Sequence, residues 1–134
     1  MPKEIITSAT APTTGFTDNA TPSPLAQGIK WGNMMFVSGQ GPLNPETKVV
    51  VSEDIQEQTR QTLTNLLGVL AAAGATVANV VNLRVCLRDP GDFPKFNEAF
   101  TEFMQGEKVT RTCIGGTPHR TGVNVEIDCV AMFD

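Results

Sequence analysis

The hydrophobic pattern is clearest near the end of the chain, where apolar and polar residues alternate strictly. One side of this segment carries Val123, Val125, Ile127, Cys129 and Ala131, and the other carries Asn124, Glu126 and Asp128. Successive side chains of a β-strand point to opposite faces of its sheet. The alternation therefore predicts a strand with one packed face and one wet, polar face.

A second strand is predicted just ahead of it. Arg111 and Cys113 are two residues apart, so they share one face of that strand, and Gly115 and Gly116 follow as a turn. If the two strands pair through this loop as hairpin neighbours, the guanidinium of Arg111 and a carboxylate of the last strand line one sheltered cleft.

Two helices are predicted by apolar residues at helical spacing. The first begins near Ser52, the predicted N-cap, has acidic residues in its first turn and stops at Gly74. Its apolar stripe comprises Ile55, Thr59, Leu63, Leu66, Leu67, Leu70 and Ala73. The second is capped by Asp92 and ends at Gly106. Its buried stripe is predicted to comprise Phe93, Phe96, Phe100, Phe103 and Met104.

The remaining segments complete the order of elements. Short strands are predicted over residues 3–7, 26–30, 34–38 and 80–87, the second and third of them joined by a tight turn at 31–33. Residues 11–24 are rich in Thr, Pro, Ser and Gly, which predicts an irregular surface loop. Strands, helix, strand, helix and two strands favour an α+β fold, a mixed sheet with both helices on one face.

Length and composition set the limits of this fold. The chain has 134 residues, about the size of one domain, so residues 1–134 are predicted to form a single unit. The sheet face without helices carries both polar and apolar residues, which favours burial against a partner subunit in a closed homo-oligomer.

The charge and the cysteines exclude several classes of function. A net charge of -4 disfavours nucleic acid as a partner, and no apolar run approaches the roughly 20 residues of a membrane span. Three cysteines without a Cys-x-x-Cys pair suit free thiols in a reducing, cytoplasmic compartment. The sole histidine, His119, lies beside Pro118, and no metal-ligand cluster is evident.

Several short motifs together resemble a known family. They are Gly32-Asn33-Met34 leading to Ser38-Gly39-Gln40, Asp92-Phe93-Pro94-Lys95-Phe96-Asn97, Arg111-Thr112-Cys113, and Val125-Glu126-Ile127-Asp128. From about Ala26 onward the chain resembles the RidA/YjgF family of enamine and imine deaminases. The resemblance implies a chorismate-mutase-like α+β domain that forms a homotrimer, with clefts between subunits and no cofactor or metal.

The resemblance also implies roles for single residues. Arg111 matches the arginine that grips a substrate carboxylate, and Glu126 matches the carboxylate that positions and deprotonates water and protonates the departing ammonia. Cys113 and Gly39 match positions that contact the substrate through main-chain groups. Pocket or structural positions are matched by Ser38 and Asn97. The implied reaction converts a 2-imino acid, such as that formed from 2-aminoacrylate, into a 2-oxo acid and ammonia.

The chain departs from the family pattern at several positions. Leu25 stands where many family deaminases have a pocket tyrosine, and the chain contains no tyrosine. The loop over residues 11–24 is longer than usual, Gly115 and Gly116 replace bulkier residues, and Thr110 replaces a proline. The resemblance therefore leaves open a longer or less polar imine than iminopyruvate.

Alternatives remain at each candidate residue. Without the resemblance, an isolated strand arginine such as Arg111 is more often a surface ion-pair partner, and Glu126 a solvated residue. Cys113 is either a nucleophile or, as favoured here, a small buried thiol. Two alternative functions also remain: a non-catalytic trimeric protein that binds small carboxylates, and a deaminase of a larger catabolic enamine such as an aminomuconate-type substrate. Cleavage of messenger RNA, also ascribed to this family, is disfavoured by the charge and by the lack of a histidine pair.

Overall fold

A computed structural model describes residues 3–12 and 23–134 of the chain. The described strands are β1 (Glu4–Ile6), β2 (Gly28–Trp31), β3 (Met34–Gln40), β4 (Val80–Leu87), β5 (Thr110–Gly115) and β6 (Val125–Met132). The helices are α1 (Ile55–Ala72) and α2 (Phe93–Met104). Most of the predicted 11–24 loop, residues 13–22, lies outside the described residues. None of the helices in the described part of the chain is both long and apolar enough to cross a membrane.

The six strands form one mixed sheet in the order β1-β2-β3-β6-β4-β5. All neighbours are antiparallel except β4 and β5, which run parallel. The predicted α+β sheet is therefore confirmed. The turn at Gly32 and Asn33 joins β2 to β3 as expected, and Gly32 adopts the positive φ of 59° that such a turn requires.

Both helices cover one face of the sheet, where the core lies. The buried sheet residues include Met35, Val37, Leu83, Val85, Leu87, Val125, Ile127, Cys129 and Ala131. They pack against Leu63, Leu66, Val69 and Leu70 of α1 and against Phe96 and Phe100 of α2. The strict alternation of β6 is confirmed, because its apolar side is buried at the centre of this core while its polar side stays half-exposed.

The predicted pairing of the last two strands is wrong. Strand β4 lies between β5 and β6 and pairs with both. Helix α2 connects β4 to β5 as a crossover, which places β5 parallel to β4 at the edge of the sheet. The apolar side of β6 must be covered by the helices, and at the centre of the sheet β6 lies beneath them.

Three details at the helix ends differ from expectation. The N-cap of α1 is Asp54, whose side chain accepts a hydrogen bond from the Glu57 N–H; the Ser52 hydroxyl instead accepts from the Asp54 N–H. Asp92 occupies the N-cap position of α2 but makes no capping hydrogen bond through its side chain. Phe93 is not buried; its side chain is 38% exposed because it lies at the open end of α2 beside Arg111.

Candidate active site

The guanidinium of Arg111 lies on the helix-covered side of the sheet, at its edge. Arg111 pairs in register with buried Leu83, so the two side chains share the face that α2 covers. Its Nη1 donates a hydrogen bond of 2.9 Å to the Asn97 side-chain oxygen. The side chain is half-buried, so one end of it is open to an incoming ligand.

Three aromatic rings of α2 surround the same guanidinium. Its central carbon lies 4.7 Å from the ring centre of Phe100 and 5.5 Å from those of Phe93 and Phe96. These distances fall within the range of cation–π attraction. Part of the predicted core stripe therefore also holds the arginine, a role that helical periodicity alone did not indicate.

No carboxylate of the described residues forms an ion pair with Arg111. The only ion pair among residues 3–12 and 23–134 joins Arg84 to Asp128, at 3.1 Å. A guanidinium has five N–H donors, and Asn97 accepts from one of them. Arg111 is therefore an oriented cation with donors available to an anion. It differs in this from a surface arginine that is already paired with a carboxylate.

Cys113 lies on the same face as Arg111, two residues further along β5. Burial raises the pKa of its thiol, and nearby Cys86 raises it further, although the charge of Arg111 acts in the opposite direction. A protonated thiol is a poor nucleophile. Because β5 is the last strand of the sheet, its outer main-chain groups have no strand partner in the described chain, which suits a backbone role at Cys113.

Glu126 lies on the opposite face of the sheet. It alternates along β6 with Val125 and Ile127, which are fully buried under the helices, and it pairs with Cys86. Its carboxylate lies against the main chain of Gly39, since a Cβ added to that glycine would be 3.1 Å from the Glu126 carboxyl carbon. Glycine at position 39 therefore leaves room for the carboxylate.

A small cavity of about 90 Å³ opens beside Glu126. Its walls include Gly39 and Gly41 from the end of β3, and His119 and Arg120 from the loop before β6. Neither His119 nor Arg120 is among the site residues that the sequence predicts. Their short distance from Glu126 along the sequence was the signal that could have found them. They precede Glu126 by seven and six residues, and the chain turns back between them and Glu126 at Gly122, where φ is 84°.

Ser38 and Leu25 lie next to Gly39 on the open face. The Ser38 hydroxyl donates a hydrogen bond of 2.6 Å to the Ala26 carbonyl, which ties β3 to the segment before β2. Leu25, at the expected tyrosine position, is 58% exposed. Both line a shallow depression, together with Gly39 and the half-buried Asp128, whose carboxylate pairs with Arg84. The hydrogen bond and charge of Asp128 raise the pKa of Arg84.

The predicted site residues thus form two groups on opposite sides of the sheet. Arg111, Cys113 and Asn97 form the arginine half-site; Glu126, Gly39, Ser38 and Leu25 form the glutamate half-site. The prediction that Arg111 and Glu126 converge within one chain is wrong. On β4, Leu83 pairs with Arg111 and Cys86 pairs with Glu126. Leu83 and Cys86 point to opposite faces of the sheet, so Arg111 and Glu126 do as well. One ligand can meet both half-sites only if two copies of the chain contribute.

No group of three or more His, Cys, Asp or Glu side chains in the described chain is arranged to hold a metal ion. Neither half-site therefore contains a protein-based metal cradle within residues 3–12 and 23–134. The chemistry available at the two half-sites is that of a guanidinium, a carboxylate and main-chain dipoles.

Comparison with known proteins identifies relatives over nearly the whole chain. The family model described as endoribonuclease L-PSP matches residues 17–133. A RutC family protein of Pyrococcus horikoshii is 38% identical over 118 residues, 87% of this chain and 94% of its own. A 2-iminobutanoate/2-iminopropanoate deaminase of Dermatophagoides farinae is 29% identical over 99% of this chain and 98% of its own.

The fold also has a close counterpart among solved structures. Escherichia coli TdcF, crystallised with bound serine, superposes with a TM-score of 0.86 at 30% sequence identity. The match covers 98% of this chain and 99% of that one. The similarity therefore extends over the sheet and both helices.

Proposed function

The chain belongs to the RidA/YjgF family, and from this premise we propose that it is an enamine and imine deaminase that hydrolyses 2-imino acids to 2-oxo acids and ammonia. Relatives named as deaminases support the reaction class. The observation that carries the proposal is the state of Arg111: half-buried, oriented by Asn97, surrounded by aromatic rings and without a carboxylate partner among the described residues.

Arg111 binds the substrate carboxylate. Two parallel N–H donors of a guanidinium match two carboxylate oxygens, which fixes the direction of the adjacent C=N group as a single ammonium cannot. Asn97 and the three rings restrict the rotamers of Arg111 before substrate arrives, so less conformational entropy is lost on binding. Main-chain groups at Cys113 and Gly39 provide further polar contacts.

Glu126 acts on water. Its carboxylate takes a proton from water as the water oxygen attacks the C=N carbon, and passes this proton to the imine nitrogen to give a tetrahedral carbinolamine. Glu126 then takes the hydroxyl proton of the carbinolamine as the C=O bond forms, and transfers it to the departing nitrogen as the carbon–nitrogen bond breaks. The net change is one imine and one water to one 2-oxo acid and one ammonia, with Glu126 returned to its starting state.

The two half-sites act together in a homotrimer. Each cleft combines Arg111 of one subunit with Glu126 of the next, and rotational closure gives three equivalent clefts. The open face of the sheet supports such an assembly. An apolar row crosses it through Ile5, Ile29, Phe36 and Val130, with Phe36 49% exposed in the single chain.

Direct assay of imine hydrolysis tests the proposal. Iminopyruvate and bulkier 2-imino acids are generated in situ, and release of ammonia and 2-oxo acid is followed with wild-type protein, Arg111→Ala and Glu126→Gln. Loss of the bidentate clamp or of the base is expected to lower kcat/KM by about 100-fold or more.

Arg60→Ala serves as the matched control, since Arg60 is exposed on α1. If Arg111→Ala and Glu126→Gln hydrolyse imines as fast as wild type, the deaminase proposal is wrong. Binding of 2-oxo acids by a wild-type protein that consumes no imine would instead identify a carboxylate-binding protein.

A further inference from the structure

The loop between β5 and β6 is held firmly at both ends. The Arg88 side chain donates hydrogen bonds to the carbonyls of Val123, at 3.1 Å, and Pro118, at 3.3 Å. The Gly116 N–H donates to the Leu87 carbonyl at 2.9 Å. Both ends of the loop are therefore fastened to the end of β4.

Helix α1 holds the same loop from the other side. Gln58 is fully buried, and its side-chain amide donates to the Gly122 carbonyl at 2.9 Å while its oxygen accepts from the Asn124 N–H at 2.8 Å. Within the loop, the Val123 N–H donates to the Arg120 carbonyl. Buried Gln58 therefore fixes the backbone at Gly122 and Asn124, and the bond from Val123 ties the Arg120 carbonyl to this fixed segment.

Arg120 therefore occupies a defined place in the wall of the cavity beside Glu126. Its side chain is half-buried, and none of its nitrogens lies within 4.0 Å of a carboxylate oxygen in the described chain. Glu126 lines the same cavity, but its carboxylate forms no ion pair with the guanidinium of Arg120. His119, from the same loop, is a second potential donor there.

The substrate's own carboxylate does not account for this cation. That group is assigned to Arg111, on the other half-site, so Arg120 is a separate positive charge at the glutamate half-site. A half-buried guanidinium whose donors have no partner in the described part of the chain, and which lies beside the reacting carboxylate, favours a ligand that carries a second anion.

We propose that Arg120 determines specificity by binding a second acidic group on the substrate, so that the preferred imines are those of dicarboxylic 2-amino acids. The inference rests on the proposed deaminase activity and deepens it. Arg111 holds the carboxylate next to the C=N carbon, and Arg120 holds the distal one.

Two imines of equal chain length test the inference. The five-carbon 2-iminoglutarate and 2-iminopentanoate are generated in situ from glutamate and norvaline by amino-acid oxidases. Wild-type protein is expected to favour the dicarboxylic imine in kcat/KM. Arg120→Gln keeps most of the side-chain length but removes the charge, and it is expected to reduce that preference about 10- to 100-fold.

The controls separate charge from structure. Arg120→Lys restores part of the preference because it restores the charge, whereas Arg60→Gln, on the exposed side of α1, leaves the preference at the wild-type value. Equal kcat/KM for both imines in the wild type, or an unchanged preference in Arg120→Gln, would overturn the inference while leaving deaminase activity itself standing.

A binding measurement keeps the inference testable without turnover. The stable products 2-oxoglutarate and 2-oxopentanoate raise the melting temperature of the wild-type protein according to their affinity for the native state. A larger shift with 2-oxoglutarate that disappears in Arg120→Gln supports the role of Arg120 even if no imine is hydrolysed. Equal shifts in both proteins contradict it.

Discussion

At the scale of single residues, Arg111 shows what a sequence motif conveys and what it omits. Its identity and its place on a strand beside Cys113 are readable from the chain, and the family resemblance suggests a carboxylate ligand. The contacts that distinguish it from a surface ion-pair partner come from Asn97 and Phe100, on a helix that precedes it. Such contacts depend on how α2 packs, which local sequence patterns do not determine.

Cys129 provides a residue-scale prediction about pH. Burial and, as a smaller cause, the charge of Asp128 raise the pKa of this thiol to about 12, whereas an unfolded thiol titrates at about 8.5. Between these values the unfolded chain releases a proton that the folded chain retains. The free energy of unfolding should therefore fall as pH rises through this window, by up to about 1.4 kcal/mol per pH unit from this group.

Urea unfolding followed by circular dichroism at pH 8 to 10.5 measures the effect against a Cys129→Ala control. The absence of tyrosine removes one competing titration from this range. The wild-type free energy should decline more steeply than that of the variant. Parallel declines would show that Cys129 ionises alike in the folded and unfolded chain.

At the scale of elements, local patterns predicted where helices and strands lie along the chain better than they predicted which strands pair. The hairpin of β2 and β3, the bounds of β4 and the stripe of α1 follow from spacing and turn residues within one segment. The insertion of β6 between β3 and β4 depends on contacts between distant segments. Local alternation along β6 shows which side is buried, but not which strands will cover its edges.

The start of α1 gives an element-scale prediction. Asp54→Ala removes the acceptor for the Glu57 N–H at 2.8 Å and should lower the free energy of unfolding by about 1 kcal/mol. Ser52→Ala removes only an exposed hydrogen bond to the Asp54 N–H and should have a smaller effect. Denaturant unfolding at a fixed protein concentration compares the two. A larger loss in Ser52→Ala would restore Ser52 as the dominant cap.

At the scale of the whole molecule, the sheet has one face covered by helices and one that is open. On the open face, the pair of Arg84 and Asp128 lies between Glu126 and the apolar row, and it lines the same depression as Phe36. The arginine half-site, by contrast, lies at the far edge beside α2. This separation is the reason that the proposed activity requires an assembly.

The apolar row gives a prediction about that assembly. Phe36→Glu places a charge within the apolar row of the open face without disturbing the core, because Met35 and Val37 point the other way. It should convert the proposed trimer to monomer and abolish the proposed imine hydrolysis, while circular dichroism stays that of the folded chain. Light scattering measures the mass, with Ala71→Glu on the exposed side of α1 as control. A trimeric Phe36→Glu protein would exclude this face from the interface.

The most direct test mixes two inactive variants. Arg111→Ala retains an intact glutamate half-site and Glu126→Gln an intact arginine half-site, so co-expression allows clefts built from the two intact halves. With equal, random assembly into trimers, about one quarter of the clefts combine both, and imine hydrolysis should recover to about that fraction of wild type. A mixture no more active than either variant alone would contradict a site shared between subunits.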